Sequence, residues 1–474
     1  MEEINEIIKV RLKKLEEIKA KGIYPYGEKF IPQSISEIKK NFCENKEVCV
    51  AGRIMAMRKH GKANFLDLRD STGKIQLYFK EDFLDKEEIY LFDRLDIGDI
   101  IGVEGKLFKT RTQEETVQVT GFRILAKSLR PLPEKWHGLK DVEIRYRQRY
   151  LDIITNPEIK EIFLLRTKII KKIREFLDNH GFWEVETPML QSIPGGAVGT
   201  PLKTFLDVYG KELFLRVAPE LYLKRLLVAG FERVYELNRS FRNEGVSPRH
   251  NPEFTMLEVY QAYGDCSEMM RLTEELIIYL ANEVLGKTKI VYQGREIDLR
   301  PPWKKISFKE VMREKFGITP DQPVEVWAER LGLRLEKGKL SRSQIVNFIS
   351  EQLEPRESSP VFIVDLFSTF CPWAKAQADN HYLSDRFELF IGGIELANAY
   401  SELNDPLEQR KRFEELIKDE RAEKIDEEFL LALEYGMPPA GGLGIGIDRL
   451  VMLFTDCASI REVILFPQLK PEKE

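Results

Sequence analysis

The side chains with the clearest chemical potential fall in a few short stretches. Between Val234 and Tyr263, one strand pattern ends in Phe241-Arg242-Asn243-Glu244, and a polar loop follows that carries Arg249, His250 and Asn251. A second strand then runs from Phe254 to Tyr260. Alternation puts Asn238, Arg242 and Glu244 on one face of the first segment, and Phe254, Met256, Glu258 and Tyr260 on one face of the second. Buried charges need partners, so such a face makes a poor core. It suits a ligand site or a solvated sheet face, and spacing alone leaves both open.

A second hairpin pairs Phe387–Ile391 with Ile394–Tyr400 around Gly392-Gly393, a favoured two-residue turn. Simple pairing sets 390 opposite 395 and 388 opposite 397, so Glu388, Phe390, Glu395 and Ala397 share a face. Two carboxylates with no Lys or Arg between them suit a hard cation such as Mg²⁺. Two solvated glutamates are the alternative. Plain alternation also sends Asn398, Tyr400 and Glu402 to the face opposite Glu395. Near the end, Gly441-Gly442-Leu443-Gly444-Ile445-Gly446 precedes Asp448-Arg449 and lacks G-x-G-x-x-G spacing. Those glycines let a nucleotide approach a strand closely.

The elements that must position these groups are legible as patterns. The chain has 474 residues, which calls for two or three domains. Apolar residues at Ile4, Ile7, Ile8, Leu12 and Leu15 predict a helix within residues 1–45. Over 46–130, short alternating stripes (Val48, Val50 and Ile54; Leu66 and Leu68; Ile75, Leu77 and Phe79; Ile101, Val103 and Leu107; Val117 and Val119) predict five antiparallel strands in a small OB-fold barrel. Asp70-Ser71-Thr72-Gly73 is a turn between two of them. Pro131-Leu132-Pro133 opens a linker over 131–150. A helix is predicted from Glu158 to His180, stopped by Gly181, with Ile162, Leu165, Ile169, Ile173 and Phe176 on one face. The region 151–474 reads as α+β with a large antiparallel sheet flanked by helices. A helical insertion at about 301–360 carries capping boxes Ser307-x-x-Glu310 and Ser341-x-x-Gln344.

Composition narrows the function classes. A net charge of −5 gives no global field for nucleic acid, so any such partner must use local patches such as Arg145 to Tyr150. The cysteines Cys43, Cys49, Cys266, Cys371 and Cys457 never show C-x-x-C spacing, which argues against a zinc site or disulfide framework. No apolar run nears the ~20 residues of a membrane helix, and the acidic start lacks the apolar core of a secretory signal. The expectation is a cytoplasmic protein without a membrane partner.

Three stretches carry a resemblance. Phe241-Arg242-Asn243-Glu244 with Arg249 to Met256 resembles motif 2 of the class II aminoacyl-tRNA synthetases. Gly181-Phe182-Trp183-Glu184-Val185-Glu186-Thr187-Pro188 resembles motif 1, which carries the dimer interface in that class. Gly441 to Arg449 resembles motif 3. Arg216 to Arg225 and Asn398 to Asp405 look like segments of the bacterial lysyl branch.

This resemblance implies adenylation of L-lysine by ATP with Mg²⁺, transfer to the 3′ end of tRNA(Lys), and a homodimer. Arg242 and Arg449 become the catalytic cations, with Arg242 at the α-phosphate and Arg249 and Arg449 at the γ-phosphate. Phe254 and Arg449 would sandwich adenine, Glu244 and Asn251 would read its edge, and His250 would support the phosphates. The lysine α-amino group falls to Gly196 and Glu220. Its carboxylate falls to Arg242 and Asn398, with Tyr400 in the same pocket. Glu402 and Tyr260, aided by Glu258, would hold the ε-ammonium. The pocket shared by Glu395 and Asn398 requires a bulge between them. Glu388 and Glu395 match the metal-binding glutamates. In the barrel, Arg58, Phe65 and Gln76 match anticodon-reading positions, and Phe65 on a polar face suits base stacking. The chain departs from the family at Gly199-Thr200-Pro201-Leu202, where Ala-Arg-Pro-Phe is common, and at Cys371-Pro372-Trp373 in place of Ser-Pro-Leu. Two rivals share parts of this wording. One is a lysine ligase that modifies elongation factor P; such enzymes usually lack the barrel and carry Ser where this chain has Ala218. The other is a non-catalytic tRNA-binding paralogue.

Overall fold

The computed structural model describes residues 2–471 except 28, 62, 134–140, 198, 333–343, 346–347, 350–354, 356 and 419–423. It divides into two units, Met1–Lys140 and Asp141–Glu474.

The first unit is a closed five-stranded barrel in the order Glu47–His60, Ala63–Arg69, Lys74–Lys80, Glu115–Ala126, Ile100–Lys109. Each apolar stripe named above points inward, and Val50, Ile54, Leu66, Leu68, Leu77, Ile101, Val103, Leu107, Val117 and Val119 are fully buried. One pairing differs from expectation. The Lys74–Lys80 and Glu115–Ala126 strands run parallel, whereas five antiparallel strands were expected. The chain between them passes through the Lys86–Phe92 helix and the Ile100–Lys109 strand and so returns in the same direction. Asp70 builds the expected turn by accepting from the backbone N–H groups of Thr72 and Gly73.

The N-terminal helix spans Glu2–Ala20, but only its later turns pack on the barrel. Leu15 and Ile18 are buried, while Ile7 and Leu12 are 37% and 39% exposed, against the continuous apolar face expected. Arg11 explains the anchoring: its guanidinium donates to the carbonyls of Ile97, Ser128 and Arg130.

The second unit is built on an eight-stranded sheet in the order Lys304–Ser307, Val361–Val364, Arg386–Ile391, Ile394–Ser401, Ala440–Gly446, Glu253–Ala262, Arg233–Phe241, Trp183–Glu184. Only the two outermost pairs are parallel. One sheet face is apolar and lies under the helices Pro157–Asn179, Cys266–Leu280 and Ile447–Thr455, with Ile169, Ile173, Leu276, Ile277, Leu450 and Val451 in the shared core. The Pro157–Asn179 helix begins with Pro at its first turn, and Gly181 at φ +77° ends it.

Part of the expected linker is ordered structure: residues after 140 form the helices Val142–Arg147 and Arg149–Thr155. Buried Arg149 pairs with Asp152 and donates to the carbonyls of Arg461 and Leu465. Within the insertion, Ser307 caps the Phe308–Phe316 helix by accepting from the Glu310 N–H. That helix and Val324–Arg330 pack Phe308, Met312 and Trp327 over one edge of the sheet. The capping box expected at Ser341 lies outside the described residues.

Candidate functional site

The other face of the large sheet carries a cleft of about 370 Å³. Its floor comes from three adjacent strands, Ile394–Ser401, Ala440–Gly446 and Glu253–Ala262. Across the Arg233–Phe241 and Glu253–Ala262 pair, Glu236 lies opposite Glu258, Asn238 opposite Met256 and Ser240 opposite Phe254. The strand stops at Phe241, so Arg242 and Glu244 sit in the following loop and not on the strand face expected for them. The Ala440–Gly446 strand fills the centre with glycine, which keeps the floor low.

The 387–400 hairpin turns at Gly392 and Gly393, both at positive φ (62° and 77°), as a tight right-twisted turn requires. Its register then slips: Phe390 faces Glu395, but Leu389 faces Ala397 and Glu388 faces Asn398. Leu396 is the bulged residue, which meets the bend expected between Glu395 and Asn398. The direct 388-to-397 pairing is therefore corrected, and Ala397 joins Leu389 in the core. Glu388, Glu395, Asn398 and Tyr400 share one face with Arg386, which lies opposite Tyr400.

That arginine corrects a second point. Arg386 donates to Glu388 Oε1 at 2.6 Å and to Asn398 Oδ1 at 2.9 Å, while Arg449 reaches Glu395 at 3.3 Å. The two carboxylates were expected to have no such neighbours. Arg386 stands two residues before Glu388 on the same strand, and the bulge brings Asn398 to it as well. Even so, burial first, and then the Glu395 charge, push the Glu388 carboxyl up against the pull of Arg386.

At one end of the cleft lie Arg242, Glu244, Arg249, His250, Asn251, Phe254 and Arg449. The Arg242 guanidinium stands 5.1 Å from the Phe254 ring centre. Its Nε is buried with no hydrogen-bond partner among the described residues. Such a donor is suited to an anion. His250 is hydrogen-bonded to Ser247 at 2.9 Å and is pushed toward neutrality by burial and by the Arg449 charge. Asn251 donates to the Glu253 carbonyl at 2.6 Å. Beneath them, buried Asp448 pairs with Arg166 at 2.5 Å and accepts from the Thr255 N–H at 2.7 Å, tying motif 3 to motif 2.

The other end is lined by Gly196, Glu220, Glu258, Tyr260, Tyr400 and Gly442. Gly196 takes φ +82°, and a Cβ there would stand 2.8 Å from the Glu220 Cβ. Tyr400 donates to Glu220 at 2.7 Å, and Tyr260 to Glu258 at 3.2 Å. Burial pushes both the Glu258 and the Glu402 carboxyl up to about 8. Glu402 does not line the cleft; its Oε1 fills the place a Gly442 side chain would take, on the same sheet face as Tyr260 and Tyr400, and it pairs with Lys224 at 2.5 Å. Lys224 also pairs with Glu220 at 2.6 Å. The sequence reading missed Lys224 and Arg386, although each stands at a telling spacing: Lys224 four residues after Glu220 on a helix, Arg386 two before Glu388 on a strand.

In the barrel, Arg58 is paired with Asp67 at 2.7 Å, and Gln76 accepts from Thr116 Oγ1 at 3.0 Å. Phe65, Tyr78 and Phe108 form a row of rings with centres 5.1 and 5.8 Å apart. Tyr78 and Phe108 were not singled out from sequence, although Tyr78 shares the parity of Gln76.

Two family descriptions match the chain: an OB-fold nucleic acid binding domain over residues 48–130, and class II tRNA synthetases (D, K and N) over 141–470. The lysine--tRNA ligase of Carboxydothermus hydrogenoformans is 54% identical, covering 99% of each chain. That of Pelotomaculum thermopropionicum is 54% identical over 100% of this chain and 96% of its own. That of Clostridium perfringens is 47% identical over 100% and 98%. No helix among the described residues is long and apolar enough to cross a membrane. Motif order, the carboxylate-rich end of the cleft and full-length similarity agree: the chain belongs to the lysine--tRNA ligase family of class II tRNA synthetases.

Proposed function

We propose that the cleft joins L-lysine to ATP as lysyl-adenylate and then passes the lysyl group to the 3′ end of tRNA(Lys). One observation carries the amino-acid assignment: Glu220 and Glu258 line one end of the cleft, with Glu402 directly behind them, while Arg242 offers an unpaired donor at the other. An amino acid with a second ammonium satisfies these carboxylates, and one with a neutral side chain strands them.

In the first step the lysine carboxylate attacks the α-phosphorus of ATP, and pyrophosphate leaves with the P–O bonding pair. The attacking carboxylate is already ionised, so no protein base is required, and the residues act by placement and charge. Glu220 and Gly196 receive the α-ammonium. Glu258 and Tyr260 face the ε-ammonium, with Glu402 behind them. Arg242 draws the carboxylate and α-phosphate together, and Asn398 offers its –NH₂, its oxygen being held by Arg386. Arg249 and Arg449 hold the outer phosphates. Phe254 gives the adenine a stacking face beside Glu244 and Asn251, and neutral His250 supports the loop through Ser247.

The carboxylates of Glu388 and Glu395 fit a Mg²⁺ ion. They share a face, the charge of one raises the other, and no set of three or more His, Cys, Asp or Glu ligands occurs among the described residues. Two protein carboxylates, with remaining positions left to phosphate and water, is the pattern this ion favours. When bound, it supplies charge neutralisation on the phosphates.

The ring row of Phe65, Tyr78 and Phe108, with Arg58 and Gln76 on the same barrel, supports contact with unstacked anticodon bases. Trp183 is 69% exposed on the last strand of the large sheet, which supports a homodimer closing over that edge. The cytoplasm is the compartment where these substrates meet. A protein-modifying lysine ligase without a barrel is a poorer reading for a chain that carries one over 48–130.

Amino-acid-dependent ATP–pyrophosphate exchange across all twenty amino acids, followed by charging of tRNA(Lys), tests the whole. Exchange driven by another amino acid would overturn the lysine assignment, and lysine exchange without charging would overturn the tRNA half.

A further inference from the structure

We infer that Lys224 is a positioning residue that sets the charge of the amino-acid end of the cleft, so that its carboxylates match a substrate with two ammonium groups. The inference rests on the lysine reading above and adds a residue to it.

Lys224 lies on the Glu220–Val228 helix, one turn after Glu220, and its side chain is fully buried. Its ammonium sits 2.6 Å from Glu220 and 2.5 Å from Glu402, and 5.7 Å from the Tyr400 ring centre. It does not line the cleft, whereas Glu220, Glu258, Tyr260 and Tyr400 do. A bound amino acid therefore meets the carboxylates, and Lys224 acts through them. It ties the carboxylate nearest Gly196 to the one packed over Gly442, joining the two ends of the amino-acid subsite by a single cation.

Charge counting gives the consequence. Without substrate, burial keeps protons on Glu258 and Glu402; once a ligand draws all three carboxyls into the ionised form, Glu220, Glu258 and Glu402 carry three negative charges against the single ammonium of Lys224, and two remain for the ligand to meet. The other titratable neighbours do not change the count. Tyr260, Tyr400 and the Cys371 thiol are neutral groups, Glu236 opposite Glu258 is matched by Arg216 at 2.6 Å, and Arg386 is engaged by Glu388 and Asn398. Lysine brings two ammonium groups, its carboxylate being met by Arg242. An amino acid with a neutral side chain brings one and leaves a buried carboxylate that must take up a proton. Without Lys224 the count becomes three against two, and lysine itself incurs that protonation.

The test is lysine-dependent ATP–pyrophosphate exchange with the full-length protein and its Lys224→Met variant between pH 6 and pH 8.5. The expected result is a lysine KM raised at least about tenfold at pH 8.5, shrinking toward pH 6, with the ATP KM within about twofold. A Lys224→Met/Glu402→Gln variant restores two carboxylates against two ammonium groups. Its lysine KM should return to within about tenfold of the parent and lose the added pH dependence, and it remains informative where the single variant fails to fold. A lysine KM moved less than twofold in Lys224→Met, or a rise in both substrates without pH dependence, would overturn the inference. So would a double variant no better than the single. If the parent protein exchanges with an amino acid other than lysine, the underlying reading has failed instead.

Discussion

Gly442 gives the sharpest handle on the amino-acid end of the cleft. It sits in an extended strand where alanine meets no backbone penalty, so any effect of Gly442→Ala comes from the added methyl. That Cβ would lie 1.8 Å from Glu402 Oε1 and 2.7 Å from Tyr260 Cε1. Ordinary contact begins at 3.4 Å, so the carboxylate must retreat by about 1.6 Å. A retreat of that size breaks its 2.5 Å pairing with Lys224 unless the ammonium follows, and following would strip Glu220 of its own 2.6 Å partner. Removing one partner of a buried ion pair costs about 3–5 kcal/mol, and partial relaxation leaves about 2–3 kcal/mol on lysine binding. At about 1.4 kcal/mol per decade, the lysine KM should rise roughly 30- to 150-fold. The assay is pyrophosphate exchange with lysine and ATP varied separately, and the ATP KM should move less than about threefold. Gly444→Ala is the control, because its Cβ meets nothing closer than Met256 Cε at 3.4 Å, and its lysine KM should stay within about threefold. A Gly442→Ala protein with near-parental lysine KM would refute the reasoning, as would equal losses in both variants.

Three further outcomes follow from the same structure. Glu258 and Glu402 sit near 8 when folded, against an ordinary 4.5, so the folded chain holds protons that the unfolded chain releases. Stability without substrate should therefore fall as pH rises from about 5 to 8, and Glu258→Gln should flatten that fall in melting curves recorded across the range. Asp448→Ala removes the partner of both Arg166 and the Thr255 N–H, and should lower the unfolding free energy by about 3–5 kcal/mol in urea titrations. Phe65→Ala should raise the tRNA KM in charging by roughly 10- to 100-fold, the worth of about one to two stacked bases, while pyrophosphate exchange stays unchanged; equal loss in both assays would count against a role in tRNA contact.

Local periodicity made much of this architecture readable. The barrel stripes, the helix stopped by Gly181 and the Gly392-Gly393 turn are encoded within a few residues, and they appear where the pattern puts them. What escaped depends on partners distant along the chain. The parallel pair in the barrel follows from the path of the intervening elements, and no single strand records it. The exposure of Ile7 and Leu12 follows from where Arg11 finds its carbonyl partners, more than 80 residues away. In the cleft, Glu220, Arg242, Glu258, Tyr260 and Asn398 could be named because motif wording marks them. Lys224 and Arg386 went unnamed because a buried cation beside a carboxylate reads, one-dimensionally, like any surface ion pair.

The bulge at Leu396 acts as a phase shifter. A strand reverses its facing with every residue, so one extra residue lets Glu395 and the later trio of Asn398, Tyr400 and Glu402 be presented together, although their numbering is out of step. What the hairpin must keep is therefore the phase of its ladder, with residue 396 held outside the pairing. Were the same residues to pair without the bulge, Asn398, Tyr400 and Glu402 would turn into the helix-packed core and Ala399 and Ser401 would enter the cleft, erasing an entire wall with every ligand residue still in the chain.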